Sequence, residues 1–420
     1  MTYVMKSKHT GRVRECQICS NKNLKVVLPL GHQLPVSSYL TKELLHEAET
    51  TYPLNLQRCS KCGLLQLDYI IDPTIAFPFI YPYRSGLTNM LIKNFRSLAD
   101  ILEKKYNLAP EDLIIDIGSN DGTLLQGFKD KGMRVLGIEP TNAADVANKN
   151  GIPTVQEFIN KKVAETIAKK HGGAKIVTAT NVFAHINNVP ELIRNIKTLM
   201  SDDGVFVSES QYLMDIAEKL EFDTIYHDHL RYYSLKPLEY LFNSFGCTLV
   251  DAKRIPAAGG SIRVFAMKGK QKQGDRVKEL IKKEEKMGIY KAEFWDGYRE
   301  QVMDAKNSLM ALILQCKKGG GAIAGLTSSA RSNTLLGFTG INSQFLDYIG
   351  EKSGSPKIGL FTPGTHIPVL DEKKIIEDQP EYVLVSSWHI GEELMKITRK
   401  LGYKGKFIIP LPKAKVIYGE

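Results

Sequence analysis

The chain has little cysteine, six residues in 420, and the shortage excludes something. Six cysteines are too few to staple a chain of this length, which rules out a disulfide scaffold. No apolar run approaches the length needed to span a bilayer, so no membrane partner is expected. The first residues, Met1 to His9, turn polar too soon for a secretory signal, and the chain reads as cytoplasmic. Long blocks of one charge are also missing. The net charge of +10 is spread through mixed stretches such as Lys278 to Lys286, which look like solvated helix faces and not like a stripe that tracks a phosphate backbone. Nucleic acid is therefore not the expected partner, and a diphosphate-bearing small molecule suits the basic balance better. The 43% hydrophobic content over this length is enough for more than one core, so two or three domains are expected.

Four of the cysteines are arranged as two pairs. Cys16-Gln-Ile-Cys19 and Cys59-Ser-Lys-Cys62 are knuckles of the kind that each present two thiolates to one tetrahedral ion. All four positions would then be filled by protein, leaving no place for water or substrate. The ion should be zinc, and its role should be to organise folding. Cys247 and Cys316 stand alone in apolar surroundings and read as small buried hydrophobes.

Further on, the apolar strand ending at Asp116-Ile117 runs into Gly118-Ser-Asn120-Asp121-Gly122 and then a helical stretch. Glycines at such a turn let a ligand approach the backbone, but the third glycine of a dinucleotide site is missing. A nucleoside cofactor without a pyrophosphate fits this turn, and S-adenosylmethionine is the expected one. Glu139 closes the next strand, where an acid binds ribose hydroxyls in doubly wound folds. A third strand delivers Asn181 and His185 to the same crevice, and a fourth ends at Glu209. Beyond it lies Tyr226-His227-Asp228-His229. Two imidazoles, a carboxylate and a phenol this close can hold and tune a general base near neutral pH.

The last third restarts an α/β pattern from about Asp251, after which the charged stretch Asp275 to Gln315 reads as a helical connector. A strand enters the small-residue loop Gly319 to Gly325, and further strands lie at Tyr382 and Phe407. The expected architecture is α/β throughout: a zinc-binding module over 1–85, a central Rossmann-like methyltransferase domain over 86–250, and a second Rossmann-like domain over 251–420 that closes on the substrate. Ser261, Arg263, Arg331, Lys357 and His366 are its candidate diphosphate or base contacts, with His227 a further substrate contact. A guanidinium such as that of Arg263 clamps phosphate oxygens in pairs.

These motifs, taken in order, resemble the zinc-containing, S-adenosylmethionine-dependent sugar C-methyltransferases that build branched deoxysugars. The resemblance rests on the knuckles, Tyr81-Pro-Tyr83-Arg-Ser-Gly, Ile-Gly-Ser-Asn-Asp-Gly, Asn-Val-Phe-Ala-His, Phe222 to His229, Gly259-Gly-Ser-Ile-Arg and Thr362 to Pro368. It implies a nucleoside-diphosphate 4-keto sugar, deprotonated beside the ketone and methylated at that carbon. It makes His229 the base, sets Tyr226, Asp228 and His185 around the enolate, and puts Tyr81 or Tyr83 at the sugar. Asp228 stands where the family usually has glutamate, and Ala258 where it commonly has histidine. Leu326 to Arg331 replaces a Tyr-Gly-Ala-Pro-Ala-Lys run, and Trp388-His389 replaces Trp-Asn. Two other readings compete: methylation of an oxygen or nitrogen of RNA or protein, and a non-catalytic zinc-stapled scaffold for a sugar nucleotide. Composition leaves the oligomeric state open, a monomer included.

Overall fold

The computed structural model describes residues 10–77, 84–87 and 89–418; Tyr81 and Tyr83 lie outside them. The chain builds three layered units around three main sheets. The first is an antiparallel sheet of four strands, in the order Arg231–Tyr232, Leu65–Leu67, Tyr52–Cys59 and Leu24–Gln33. Its edge strand is thus supplied from the middle of the chain, two residues after His229. This stitch seats the histidine cluster at the seam between the first unit and the second.

The second unit is a seven-stranded sheet with a parallel centre. Leu113–Ile117 lies in the middle, flanked by Arg134–Ile138 on one side and Ala174–Thr180 on the other. The strand order reverses at that point, and the carboxyl ends open a crevice there. Leu113–Ile117 is buried along its whole length, as its run of four apolar residues broken only by Asp116 requires when helices cover both faces. The sheet does not stop at residue 250. Cys247–Ile255 and Ser261–Lys268 form a hairpin that pairs with Met200–Gln211, so the expected boundary at 250/251 falls inside a strand of the central sheet.

The third unit is a six-stranded sheet, parallel except for its last strand, in the order Val369–Asp371, Ile349–Glu351, Ile323–Leu326, Tyr382–Val385, Lys406–Ile409 and Lys415–Ile417. Between the second and third units run the helices Asp275–Met287 and Ala292–Lys318. Gly288, at φ +88°, ends the first of them in the left-handed conformation that glycine adopts without strain. The second packs as well as connects. Trp295, Tyr298, Val302, Ala305, Leu309, Ile313 and Cys316 recur every three or four residues and are all buried. That stripe joins the first and third sheets in one core, while Cys16 and Cys59 belong to the core of the central sheet. No helix of the described residues is long and apolar enough to cross a membrane.

Candidate active site

The four knuckle cysteines converge. Their sulfurs all lie within 4.8 Å of one another, with Cys16 to Cys62 and Cys19 to Cys59 at 3.5 Å. A tetrahedron with zinc–sulfur bonds of about 2.3 Å has edges of about 3.8 Å, so the set fits zinc. Protonation argues the same way. The hydrogen bond from Cys62 holds the Cys16 thiol down, and that same bond pushes Cys62 up. Burial pushes Cys19 up as well. Four thiolates therefore need a cation.

At the switch point of the central sheet, Gly118 (φ +69°), Asn120 (φ +51°) and Gly122 (φ +79°) turn the chain tightly after Ile117. A Cβ at Gly118 would sit 2.4 Å from Val182, so glycine is required where the loop after the third strand packs onto the turn. Glu139 holds the turn in shape. Its Oε2 accepts from the Asn120 amide at 3.0 Å, and its Oε1 from the amide and hydroxyl of Thr141 at 2.9 and 2.6 Å. Asn120 and Asp121 in turn accept from the amides of Ser85 and Gly86 at 3.0 and 2.8 Å, which docks that short segment over the turn. Asp116 lies beneath, bonded by the Thr178 hydroxyl at 2.6 Å. Burial raises its carboxyl to about 7 against that bond, with the charge of Glu139 adding to the rise. Asn181, at φ +57°, closes the group.

Glu209 does not join them. It is fully buried and paired with Arg263, its cross-strand neighbour, through Nε and Nη2 at 3.1 and 2.8 Å, and it also accepts from Asn94 at 2.8 Å. The expected cofactor contact and the expected diphosphate clamp are thus partners in one closed ion pair. Two opposite charges facing each other across an antiparallel pair, out of water, neutralise one another.

The histidine cluster splits by direction. Nδ1 of His229 donates to the Thr224 carbonyl at 2.8 Å. Because a carbonyl only accepts, this fixes the tautomer and leaves Nε2 with its lone pair. The Tyr226 ring lies 4.1 Å from the His229 ring and that of His185 5.0 Å, while Phe77 stacks on His185 at 5.5 Å. Burial lowers His229 to about 4, opposed by the Thr224 bond and aided by the charge of Arg331. His185 is held well below its ordinary value by burial, then by His229 and Arg231. Asp228 is buried with Oδ1 unpartnered, and burial raises its carboxyl to about 7.

His227, expected at the substrate, points the other way. Its Nε2 lies 3.2 Å from the Pro53 carbonyl and its ring meets the edge of Tyr52, so it packs against the first sheet.

The remaining expected contacts are drawn into seams. Arg331 reaches Asp223 through Nε at 3.0 Å and Nη2 at 2.8 Å, Trp388 donates to the same carboxylate at 2.9 Å, and Nη1 of Arg331 has no hydrogen-bond partner. Lys357 donates to the Ser328 carbonyl, His366 lies 2.6 Å from Glu49 of the first unit, and Ser261 donates to the Ala257 carbonyl at 3.0 Å. Asp223, Glu221 and Trp388 were not singled out by their surroundings in the sequence, since their partners lie a hundred residues or more away. Glu221 and Trp388 border a cleft of about 740 Å³ between the second and third units, lined among others by Lys219, Gly259 and His389.

Over 412 residues the chain is 30% identical to the C-methyltransferase NovU of Streptomyces niveus, covering 97% of this chain and 98% of that protein. The chain belongs to the C-methyltransferase family. Three family descriptions tile this C-methyltransferase: a zinc binding domain over residues 16–77, a methyltransferase domain over 90–252 and a C-methyltransferase C-terminal domain over 256–412. The first of these coincides with the four-sulfur cluster, and zinc is its metal. Among solved structures, the plantazolicin methyltransferase BpumL overlaps 44% of this chain and 86% of its own at TM-score 0.35 and 11% identity. Magnesium protoporphyrin IX methyltransferase from Synechocystis PCC 6803, with bound SAM, overlaps 42% and 79% at TM-score 0.32 and 14% identity.

Proposed function

We propose that this C-methyltransferase uses S-adenosylmethionine to methylate a nucleoside-diphosphate 4-keto sugar at the carbon beside its ketone, with His229 as the base. The observation that carries the proposal is the committed Nδ1–H of His229, which leaves Nε2 as a lone-pair acceptor beside Tyr226 and His185. A carbon acid needs such a base, and a ketone brings it within reach by taking the charge onto oxygen. The Tyr226 hydroxyl and the neutral His185 serve as donors to that oxygen, and a protonated Asp228 adds a third. The enolate carbon is then the nucleophile. The cofactor supplies a methyl group already activated on a sulfonium.

The fit to that cofactor rests on the glycine turn and on Glu139, whose oxygens keep lone pairs for ribose hydroxyls after holding the turn. Glu139→Ala is expected to weaken S-adenosylmethionine binding by about 10- to 100-fold, since hydrogen bonds to a charged group are lost. Titration calorimetry measures it, and an unchanged affinity would remove Glu139 from the site. The cleft beside Trp388 and Glu221 is wide enough for the nucleotide, and Nη1 of Arg331 lies 3.6 Å from the Glu221 carboxylate that lines it.

The function itself is tested with the wild-type protein and a nucleoside-diphosphate 4-keto sugar in deuterated water. Deuterium should enter the carbon beside the ketone without any methyl donor, and a new carbon–carbon bond should form once the donor is added. Absence of both with every such sugar would remove the reading.

A further inference from the structure

Arg231 is 1% exposed, yet no carboxylate of the described residues pairs with it. A guanidinium out of water without a counter-ion is costly unless its donors are all used. They are used in three directions. Nη1 donates to the side chain of Gln17, which sits inside the first knuckle between Cys16 and Cys19, and Nε donates to the Tyr233 hydroxyl at 2.9 Å. Nη2 donates to the carbonyls of Phe183 and Ile186 at 3.2 and 2.5 Å. The amide of Leu230 takes the carbonyl between them, that of Ala184, at 3.0 Å. Three carbonyls around His185 are therefore tied to two consecutive residues that follow His229. The knuckle is tied to the same strand a second time, because Gln66, paired in register with Arg231, accepts from the Gln17 amide at 2.9 Å and donates to the Glu15 carbonyl at 3.1 Å.

We propose that Arg231 is a positioning residue that couples the zinc knuckle to His185, fixing the 183–186 loop against the Cys16–Cys19 turn so that the imidazole pair keeps its geometry. A planar fork with donors in three directions can do this, and an ammonium cannot. Partners that hold a ligating segment on one side and a reactive group on the other orient both. The charged and titratable groups facing His185 are His229 and Arg231, with Phe77 over the other face. Removing the guanidinium therefore also removes a charge that keeps His185 neutral.

The proposal rests on the reading of His185 and His229 as the reacting pair, and its test has a readout that does not. Full-length, zinc-loaded protein labelled at histidine nitrogen is followed by NMR, with His185 assigned through His185→Asn. In Gln17→Leu, zinc should stay at one per chain and the His227 signals should stay in place while those of His185 move. The kcat should fall about 10-fold with KM for the sugar nucleotide nearly unchanged. Arg231→Met should in addition raise the titration of His185, and Arg231→Lys should restore that titration without restoring kcat. His185 signals, titration and kcat all equal to wild type in Gln17→Leu and Arg231→Met would overturn the coupling. Should Arg231→Met fail to fold, Gln17→Leu decides alone, because it cuts only the knuckle end of the link. If no sugar is turned over by wild type while His185 still moves, the functional reading fails and the coupling stands.

Discussion

His229→Asn is expected to lower the rate of both deuterium exchange and methyl transfer by about 10³-fold, the range that a positioned general base contributes, while S-adenosylmethionine binding and the melting temperature should stay near wild type. Asparagine can keep a donor towards the Thr224 carbonyl, 2.8 Å from Nδ1 in the native ring, so the turn from Tyr226 survives and only the lone pair at Nε2 is lost. Proton exchange reads the base alone. A variant that exchanged normally but failed to methylate would move the base elsewhere and leave His229 with a binding role.

The pH dependence follows from the same ring. A base works only when deprotonated, and burial lowers His229 to about 4. Activity that depends on it is therefore present above that value and is lost only as the pH falls through it. An exposed histidine titrating near 6.5 would lose about tenfold of kcat/KM by pH 5.5. The expected profile on its acid side is flat from 7.5 to 5.5. A tenfold fall in that window would mean that the free enzyme holds His229 in an environment far more polar than its contacts with Tyr226 and His185 provide.

Some of this was legible in the sequence and some was not, and the difference is physical. Cysteine spacing within each knuckle is fixed by a few bonds, so the zinc site could be read directly, as could the glycine turn and the acid on the next strand. The direction of each side chain in Tyr226 to His229 could not. These residues lie in an irregular turn without a period, and only the docking of the following strand against Leu65–Gln66 decides that His227 faces Pro53 and His229 faces His185. The pairing of Arg263 with Glu209 was visible only through the register of a hairpin whose reversal, at Ala257 to Gly260, sets which residues stand opposite. The pairing of Arg331 was hidden because its partner Asp223 is 108 residues away. The buried stripe on Ala292–Lys318 was present as a three-and-four spacing, but the charges between its members, Asp296, Arg299, Glu300, Asp304 and Lys306, gave the stretch the look of a connector.

Removing zinc, by a strong chelator or by Cys59→Ser, is expected to have the largest effect of any single change. Structural zinc sites contribute about 10–16 kcal/mol in small zinc-folded peptides. Even a fraction of that should lower the melting temperature of this chain by about 15 °C or more. The loss cannot stay local. Cys16 and Cys59 pack in one core with Val177, Phe183, Ile193 and Tyr233 of the central unit, and the strand that follows the second knuckle, Leu65–Leu67, pairs with Arg231–Tyr232. Unfastening the knuckles frees the edge strand that carries the chain away from His229. Methyl transfer should vanish with the metal and return when zinc is added back, although a site filled by four thiolates offers no position for substrate or water. Calorimetric melting of native, chelated and reconstituted protein, with turnover measured on each, decides the matter. A chelated protein that melted and turned over like the native one would show that the four sulfurs hold the fold without their ion, and the link from knuckle to imidazole pair would lose its anchor.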